Sequence, residues 1–184
     1  PGQPGGGTIA ITATDSIFIT GQRPGITNLL PSVPGLPTFT NLPGIYSENF
    51  SANTGSHIVI QTQSLTLQPG EIGSHTFGAG AAGDLSFLLG QLRLKDGGEI
   101  NSYAFGAGAS GSVELRASDS ITMSGFLPGT LQVGPLVQQN VGSNIASATV
   151  GLGQAGPVFV STPTLTLNGD HSGIASYTLG PAGA

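Results

Sequence analysis

The sequence predicts an all-β fold, a right-handed parallel β-helix (β-solenoid) of about five coils of three short strands, with two Pro-rich loop insertions. Three observations predict it. A phrase of isoleucine, any residue, serine, two residues and a bulky apolar residue occurs five times in 184 residues. Gly55, Gly83 and Gly111, which open the middle units, are 28 residues apart. No run keeps apolar spacings of three and four over 10 residues, and 31 glycines would penalise any helix. Self-similarity at such a period means stacked repeats, because one unit cannot bury its apolar face alone.

The elements follow in order. Behind Gly6-Gly7 come Ile9-Ala10-Ile11 and Ile17-Phe18-Ile19. Behind Gly55, Gly83, Gly111 and Gly156 come Ile58-Val59-Ile60, Leu85-Ser86-Phe87, Val113-Glu114-Leu115 and Val158-Phe159-Val160. Second runs are Leu65-Thr66-Leu67, Leu92-Arg93-Leu94, Ile121-Thr122-Met123 and Leu165-Thr166-Leu167. The Ile-x-Ser run closes each unit. Alternation at period two between Gly, Asp, Asn and Ser reads as short strands and turns. One domain over 1–184 is expected, with coils at about 6–54, 55–82, 83–110, 111–155 and 156–184.

Equivalent residues of stacked repeats lie on one another. Ile45, Ile72, Ile100, Ile145 and Ile174 are expected to form one core column. Phe50, Phe77, Phe105, Val150 and Leu179 are expected to form a second, with the three phenylalanines stacked. Ser47, Ser74, Ser102, Ser147 and Ser176 share the side of the isoleucines, so each hydroxyl needs a neighbouring serine or a turn backbone as partner.

Two intervals exceed the period, at the same place between second and third strands. The insertions span about 21–44, with five prolines from Pro24 to Pro43, and about 125–142, with Pro128 and Pro135. Proline removes a ladder donor, so both are expected as loops outside the sheets. They are too apolar for solvated linkers. Leu29, Leu30, Leu36, Phe39, Phe126, Leu127 and Leu131 are candidates for lateral contacts, against a sheet face or another chain.

Composition excludes several functions. Only 13 residues are charged, four of them basic, and the net charge is −5. Four cations cannot track a phosphate backbone, so no nucleic-acid partner is expected. No apolar run approaches the length of a membrane span, and no membrane insertion is expected. Cysteine is absent, which removes disulfides and thiolate chemistry. No signal peptide stands at Pro1, so the chain reads as processed or excised from something longer. It begins and finishes at the same point of the repeat with no recognisable cap, which predicts end-to-end stacking on a copy of itself or on neighbouring coils.

Chemistry is thin. His57, His75 and His171 fall at different positions in their units and form no column. No metal, cofactor or catalytic residue is expected, and no cleft for paired carboxylates is visible. Asp15 and Asp119 read as turn caps. Gly78-Ala79-Gly80 and Gly106-Ala107-Gly108 lack the lysine and helix of a phosphate loop. Asn49-Phe50-Ser51 matches a glycosylation sequon.

Units of the form Gly-x-Ile-x-Ile, Leu-x-Leu-x-x-Gly, Ile-x-Ser-x-x-Phe-Gly-x-Gly-x-x-Gly resemble the repeats of filamentous-haemagglutinin-like exoproteins, best in Gly83 to Gly111. The resemblance covers nearly everything outside the insertions. It implies a right-handed parallel β-helix, export across a bacterial envelope by a partner transporter, and a role as a surface or shed adhesive fibre. It implies no catalytic residues. The leading expectation is a non-enzymatic structural segment or subunit of an extracellular or cell-surface bacterial β-solenoid fibre, stacking on itself head to tail. The alternative is an adhesin whose insertions bind a host or cell-surface glycan. A polysaccharide-processing enzyme would need clustered charges along a groove, which 13 scattered charges supply poorly.

Overall fold

The computed structural model describes residues 6–21, 42–133 and 136–180. The first repeat gives β1 (Thr8–Thr12), β2 (Ser16–Thr20) and β3 (Gly44–Asn49). The second gives β4 (His57–Gln68) and β5 (Glu71–Thr76), the third β6 (Leu85–Lys95) and β7 (Glu99–Ala104). The fourth gives β8 (Val113–Ser124), β9 (Phe126–Val133), β10 (Leu136–Gly142) and β11 (Asn144–Thr149). The last gives β12 (Val158–Ser161), β13 (Leu165–Asn168) and β14 (Gly173–Thr178). Among the described residues there is no helix, and so none long and apolar enough to cross a membrane.

The expected β-solenoid of three-strand coils is overturned. The strands fall into separate sheets: a seven-stranded parallel sheet, a five-stranded parallel sheet and a two-stranded antiparallel one. The larger sheet runs β1-β4-β6-β8-β12, with β2 also paired to β4 and β13 to β8. The smaller runs β14-β11-β7-β5-β3. The physical reason is the absence of a break between first and second runs. Gln61, Thr62 and Ser64 keep pairing with the neighbouring strand although the alternation changes phase before Leu65, so the two runs form one strand of 12 residues. The same happens in β6 and β8. Only the outer repeats keep two short strands, where Asp15 and Pro163 interrupt them.

The second insertion is also corrected. Residues 126–142 form a hairpin, not a loop: β9 and β10 pair antiparallel, with Val137 opposite Gln132 and a bulge between Gln139 and Val141. Pro128 is tolerated because a two-stranded ladder has only edge strands.

Register repeats faithfully. Ile58, Leu85, Val113 and Val158 are successive partners, as are Leu65, Leu92 and Ile121. Ile58 and Leu65, like Leu85 and Leu92, are seven residues apart yet all fully buried, because the alternation changes phase in mid-strand. One aliphatic cluster joins inward residues of the larger sheet, such as Ile58, Leu85, Leu92 and Leu115, to Ile72, Ile100 and Ile145 of the smaller. Fully buried side chains of this size contribute about 1.5–3 kcal/mol each. The core therefore lies between the two parallel sheets.

Among the described residues the core is less completely covered at its outer ends, where the partly buried hydrophobic residues packed on it lie in β1, β2, β3, β12 and β14: Ile9, Ile11, Ile17, Ile19 and Ile45 at one end, Val158, Val160 and Ile174 at the other.

Candidate functional site

The Ile-x-Ser strands position the site. Ile45, Ile72, Ile100, Ile145 and Ile174 are register partners across β3, β5, β7, β11 and β14. The three in the middle are fully buried. Ser47, Ser74, Ser102, Ser147 and Ser176 are likewise in register. The Oγ atoms of Ser74 and Ser102 accept the N–H groups of Gly83 and Gly111 at 2.8 Å, and Ser47 accepts that of Ser56 at 2.9 Å. In the fourth repeat Ser110 intervenes: its Oγ is 2.8 Å from that of Ser147 and accepts the Gly156 N–H at 3.0 Å. Ser147 and Ser176 donate to the carbonyls of Gly111 and Gly156. Ser47, Ser74 and Ser102 thus tie their strands to the start of the following repeat, whereas Ser147 and Ser176 bond to the start of their own. The backbones approach so closely there that a Cβ on Gly83 would strike Ser56, and one on Gly111 would strike Gly83.

The phenylalanine column stands elsewhere than expected. Phe50 stacks on Phe77 at 4.9 Å and Phe77 on Phe105 at 5.1 Å, yet Phe50 is 47 % exposed and Leu179 52 %. Phe77, Phe105 and Val150 are half-buried, outside the aliphatic cluster. Five residues from the isoleucine is an odd step, so period two carries these residues to the opposite face of the smaller sheet.

That outer face holds a buried polar network. Gly44, Glu71, Glu99, Asn144 and Gly173 occupy one rung, and Tyr46, Gly73, Asn101, Ala146 and Ala175 the next. His75 Nε2 lies 2.8 Å from Asn101 Oδ1 and 3.1 Å from Glu71 Oε1. Asn101 Nδ2 donates to Glu71 Oε1 at 2.8 Å and to Glu99 Oε2 at 3.4 Å. Asn144 Nδ2 donates to Glu99 Oε1 at 2.5 Å. Above the network His75 stacks on Tyr103, with centroids 5.8 Å apart and planes 12° apart. Gly73 makes the junction possible, because a Cβ there would lie 2.8 Å from both Asn101 Oδ1 and His75 Nε2.

Charge is divided unequally along this rung. Burial pushes Glu71 up, but the hydrogen bond and charge of His75, with Asn101 and Tyr46, hold it below its ordinary value. Burial would lower His75, and the Glu71 hydrogen bond and charge raise it instead. Glu99 is pushed up to about 8 by burial and by the neighbouring Glu71 carboxylate, with Asn144 opposing. Burial, then the carboxylates, raises the phenols of Tyr46 and Tyr103 well above the usual range. The shifts favour an ion pair between Glu71 and His75, beside Glu99, which keeps its proton up to about 8.

Sequence reasoning missed this cluster. It saw histidines forming no column, and indeed His75 has Glu48 and Tyr103 as register partners. The legible signal was the residue before each isoleucine: Glu71, Glu99 and Asn144 fall on one rung once the repeats are aligned. Glu71, His75, Glu99 and Asn101 are each less than a tenth exposed, so the carboxylates offer nothing to a solvent-borne substrate. Among the described residues no group of three His, Cys, Asp or Glu side chains is arranged to hold a metal ion.

The remaining candidates disperse. His57 contacts Asp84 at 3.5 Å on the exposed side of the larger sheet. His171 lies edge-on to Phe126 at 6.2 Å. Asp119 lies within β8 and accepts from Ser118 Oγ at 2.9 Å. The sequon asparagine, Asn49, is 8 % exposed, and its Nδ2 donates to the carbonyls of Asn53 and Ala81. Phe126 is 40 % exposed and Leu127 covers Gly97. Leu131 pairs its backbone with Gln138 in the hairpin. Leu29, Leu30, Leu36 and Phe39 lie outside the described residues. A hollow of about 160 Å³ lies beside the network, between Tyr103, Asn144, His171, Gly173, Ala175 and Tyr177.

No family model, curated protein or solved structure matches this chain.

Proposed function

We propose that this chain is a non-enzymatic structural segment of an extracellular or cell-surface bacterial fibre, in which both parallel sheets continue past their outermost strands. One observation carries this reading. Leu165 and Leu167 on β13 are 47 % and 48 % exposed, whereas their register partners Ile121 and Met123 on β8 are fully buried. A further strand in the same register would remove both leucines from water. Proteins that must keep a sheet edge free protect it with charge, proline or a bulge inside the strand. None of these occurs in VFVS, LTLN or GIASYT, the sequences of β12, β13 and β14.

The buried network supports the same reading from the other side. Its carboxylates and histidine satisfy one another and leave no reactive group in a cleft. The weakly charged composition and the resemblance of the repeats to exported adhesive fibres point the same way.

Electron microscopy and sedimentation of the purified chain test the proposal. End-to-end oligomers or filaments are expected, and Leu165→Lys with Leu167→Lys should abolish them while leaving the β-sheet circular dichroism intact. A wild-type chain that stays monomeric at the highest attainable concentration would overturn it.

A further inference from the structure

We infer that the neighbour on β12, β13 and β14 is a second copy of this chain, bound through its β1, β2 and β3 in unbroken register. The inference rests on the fibre reading above and adds the partner and the alignment. The internal pairings define the alignment without freedom: Ile9, Ile58, Leu85, Val113 and Val158 occupy one rung, and Ile17, Leu65, Leu92, Ile121 and Leu165 another. Continuing these rungs sets Leu165 and Leu167 of one copy against Ile17 and Ile19 of the next, and Ile174 against Ile45. Ile17, Ile19, Ile45 and Ile174 pack against the core yet remain only half-buried, and Leu165 and Leu167 are exposed. Joining the ends would complete aliphatic rungs of the kind that are fully buried inside the chain.

The outward rungs fit by size, which nothing in the inward pattern requires. Phe159, 60 % exposed, would lie beside Ala10, and Phe18, 61 % exposed, beside Thr166. On the smaller sheet Tyr46 would lie beside Ala175, next to the hollow at Gly173. At each of these rungs a ring meets a small side chain. Charge poses no obstacle either: TIAIT, SIFIT and all three strands of the opposite edge are uncharged, and Glu48 of β3 would face Tyr177. A slip by one residue would turn the aliphatic set outward, so the register is strongly specified. Because the two surfaces differ, the contact does not close on itself and propagates.

The chain has no cysteine, so engineered thiols report the register directly. Thr12 and Ser161 are exposed, outward and, in this alignment, opposite each other on adjacent strands, within the reach of a disulfide. Thr12→Cys and Ser161→Cys proteins, mixed and mildly oxidised, should give at least ten times the cross-linked heterodimer of a Thr8→Cys and Ser161→Cys mixture. Equal yields from the two mixtures, with association still seen by sedimentation, would overturn the register and leave sheet continuation standing. Absence of association would overturn both.

Discussion

Glu71 and Glu99 are direct register partners on β5 and β7, and both side chains are almost completely buried. Two carboxylates on adjacent parallel strands cannot both ionise cheaply away from water. His75 resolves the conflict in favour of Glu71, at 3.1 Å, and Glu99 keeps its proton up to about 8. The smaller sheet is thereby made sensitive to pH at its centre.

Stability should peak in mildly acidic solution. Glu99 is raised from its ordinary 4.5 to about 8, so the unfolded chain loses this proton first and stability falls across that window by up to about 1.4 kcal/mol per pH unit. His75, raised above 6.5, contributes stability that is complete below 6.5 and is lost as pH rises through its folded value. Glu71, lowered, contributes stability that is lost as pH falls through its own folded value. Thermal melts should show a maximum Tm at about pH 4.5, where loss of the Glu71 contribution below meets loss of the Glu99 contribution above, and a decline toward pH 8. In Glu99→Gln the decline should be much shallower; an unchanged profile would contradict the assignment.

Removing the counter-ion should be worse than removing the acid. His75→Leu leaves the Glu71 carboxylate buried without its cation and should cost about 3–5 kcal/mol in chemical denaturation at pH 6. Glu71→Gln combined with His75→Leu should recover part of that loss.

Two glycines on the same face should respond oppositely. Gly73→Ala drives a methyl into the junction of Asn101, His75 and Glu71 and should cost about 1–3 kcal/mol. A Cβ on Gly173 meets nothing within 4 Å, so Gly173→Ala should leave Tm unchanged or raise it slightly. Matching losses at the two sites would show that the network is not tightly assembled.

The serine ties should matter in the interior and not at the edge. Ser102→Ala leaves the buried Gly111 N–H without its acceptor and should cost about 1–3 kcal/mol. Ser176 is exposed on β14, and Ser176→Ala should stay within about 0.5 kcal/mol for the unassociated chain.

Much of the strand pattern was readable, because alternation at Ile58–Ile60, Leu85–Phe87 and Leu92–Leu94 is strict and a 28-residue period aligns it. Where strands begin and end was not. The five-residue step from Ile60 to Leu65 breaks the alternation and reads as a corner, yet pairing runs through it and only the phase of burial changes. The hairpin at 126–142 was hidden by Pro128, whose missing donor matters less in a two-stranded ladder than in a sheet interior. The polar network was hidden by distance along the chain: Glu71, Glu99 and Asn144 are 28 and 45 residues apart and meet only through register. Period two also sends Phe77 and His75 to the face opposite Ile72, a consequence available from the sequence once the strand is known to continue straight.

The central claim is that the sheet edge at β13 is where the molecule continues. Amide hydrogen exchange across Leu165–Asn168, followed by mass spectrometry over a range of protein concentration, tests it most directly. Protection there should be weak in dilute solution and should rise with concentration toward that of β8, its internal neighbour. Rapid exchange in this segment at every concentration, with β8 fully protected throughout, would contradict the account.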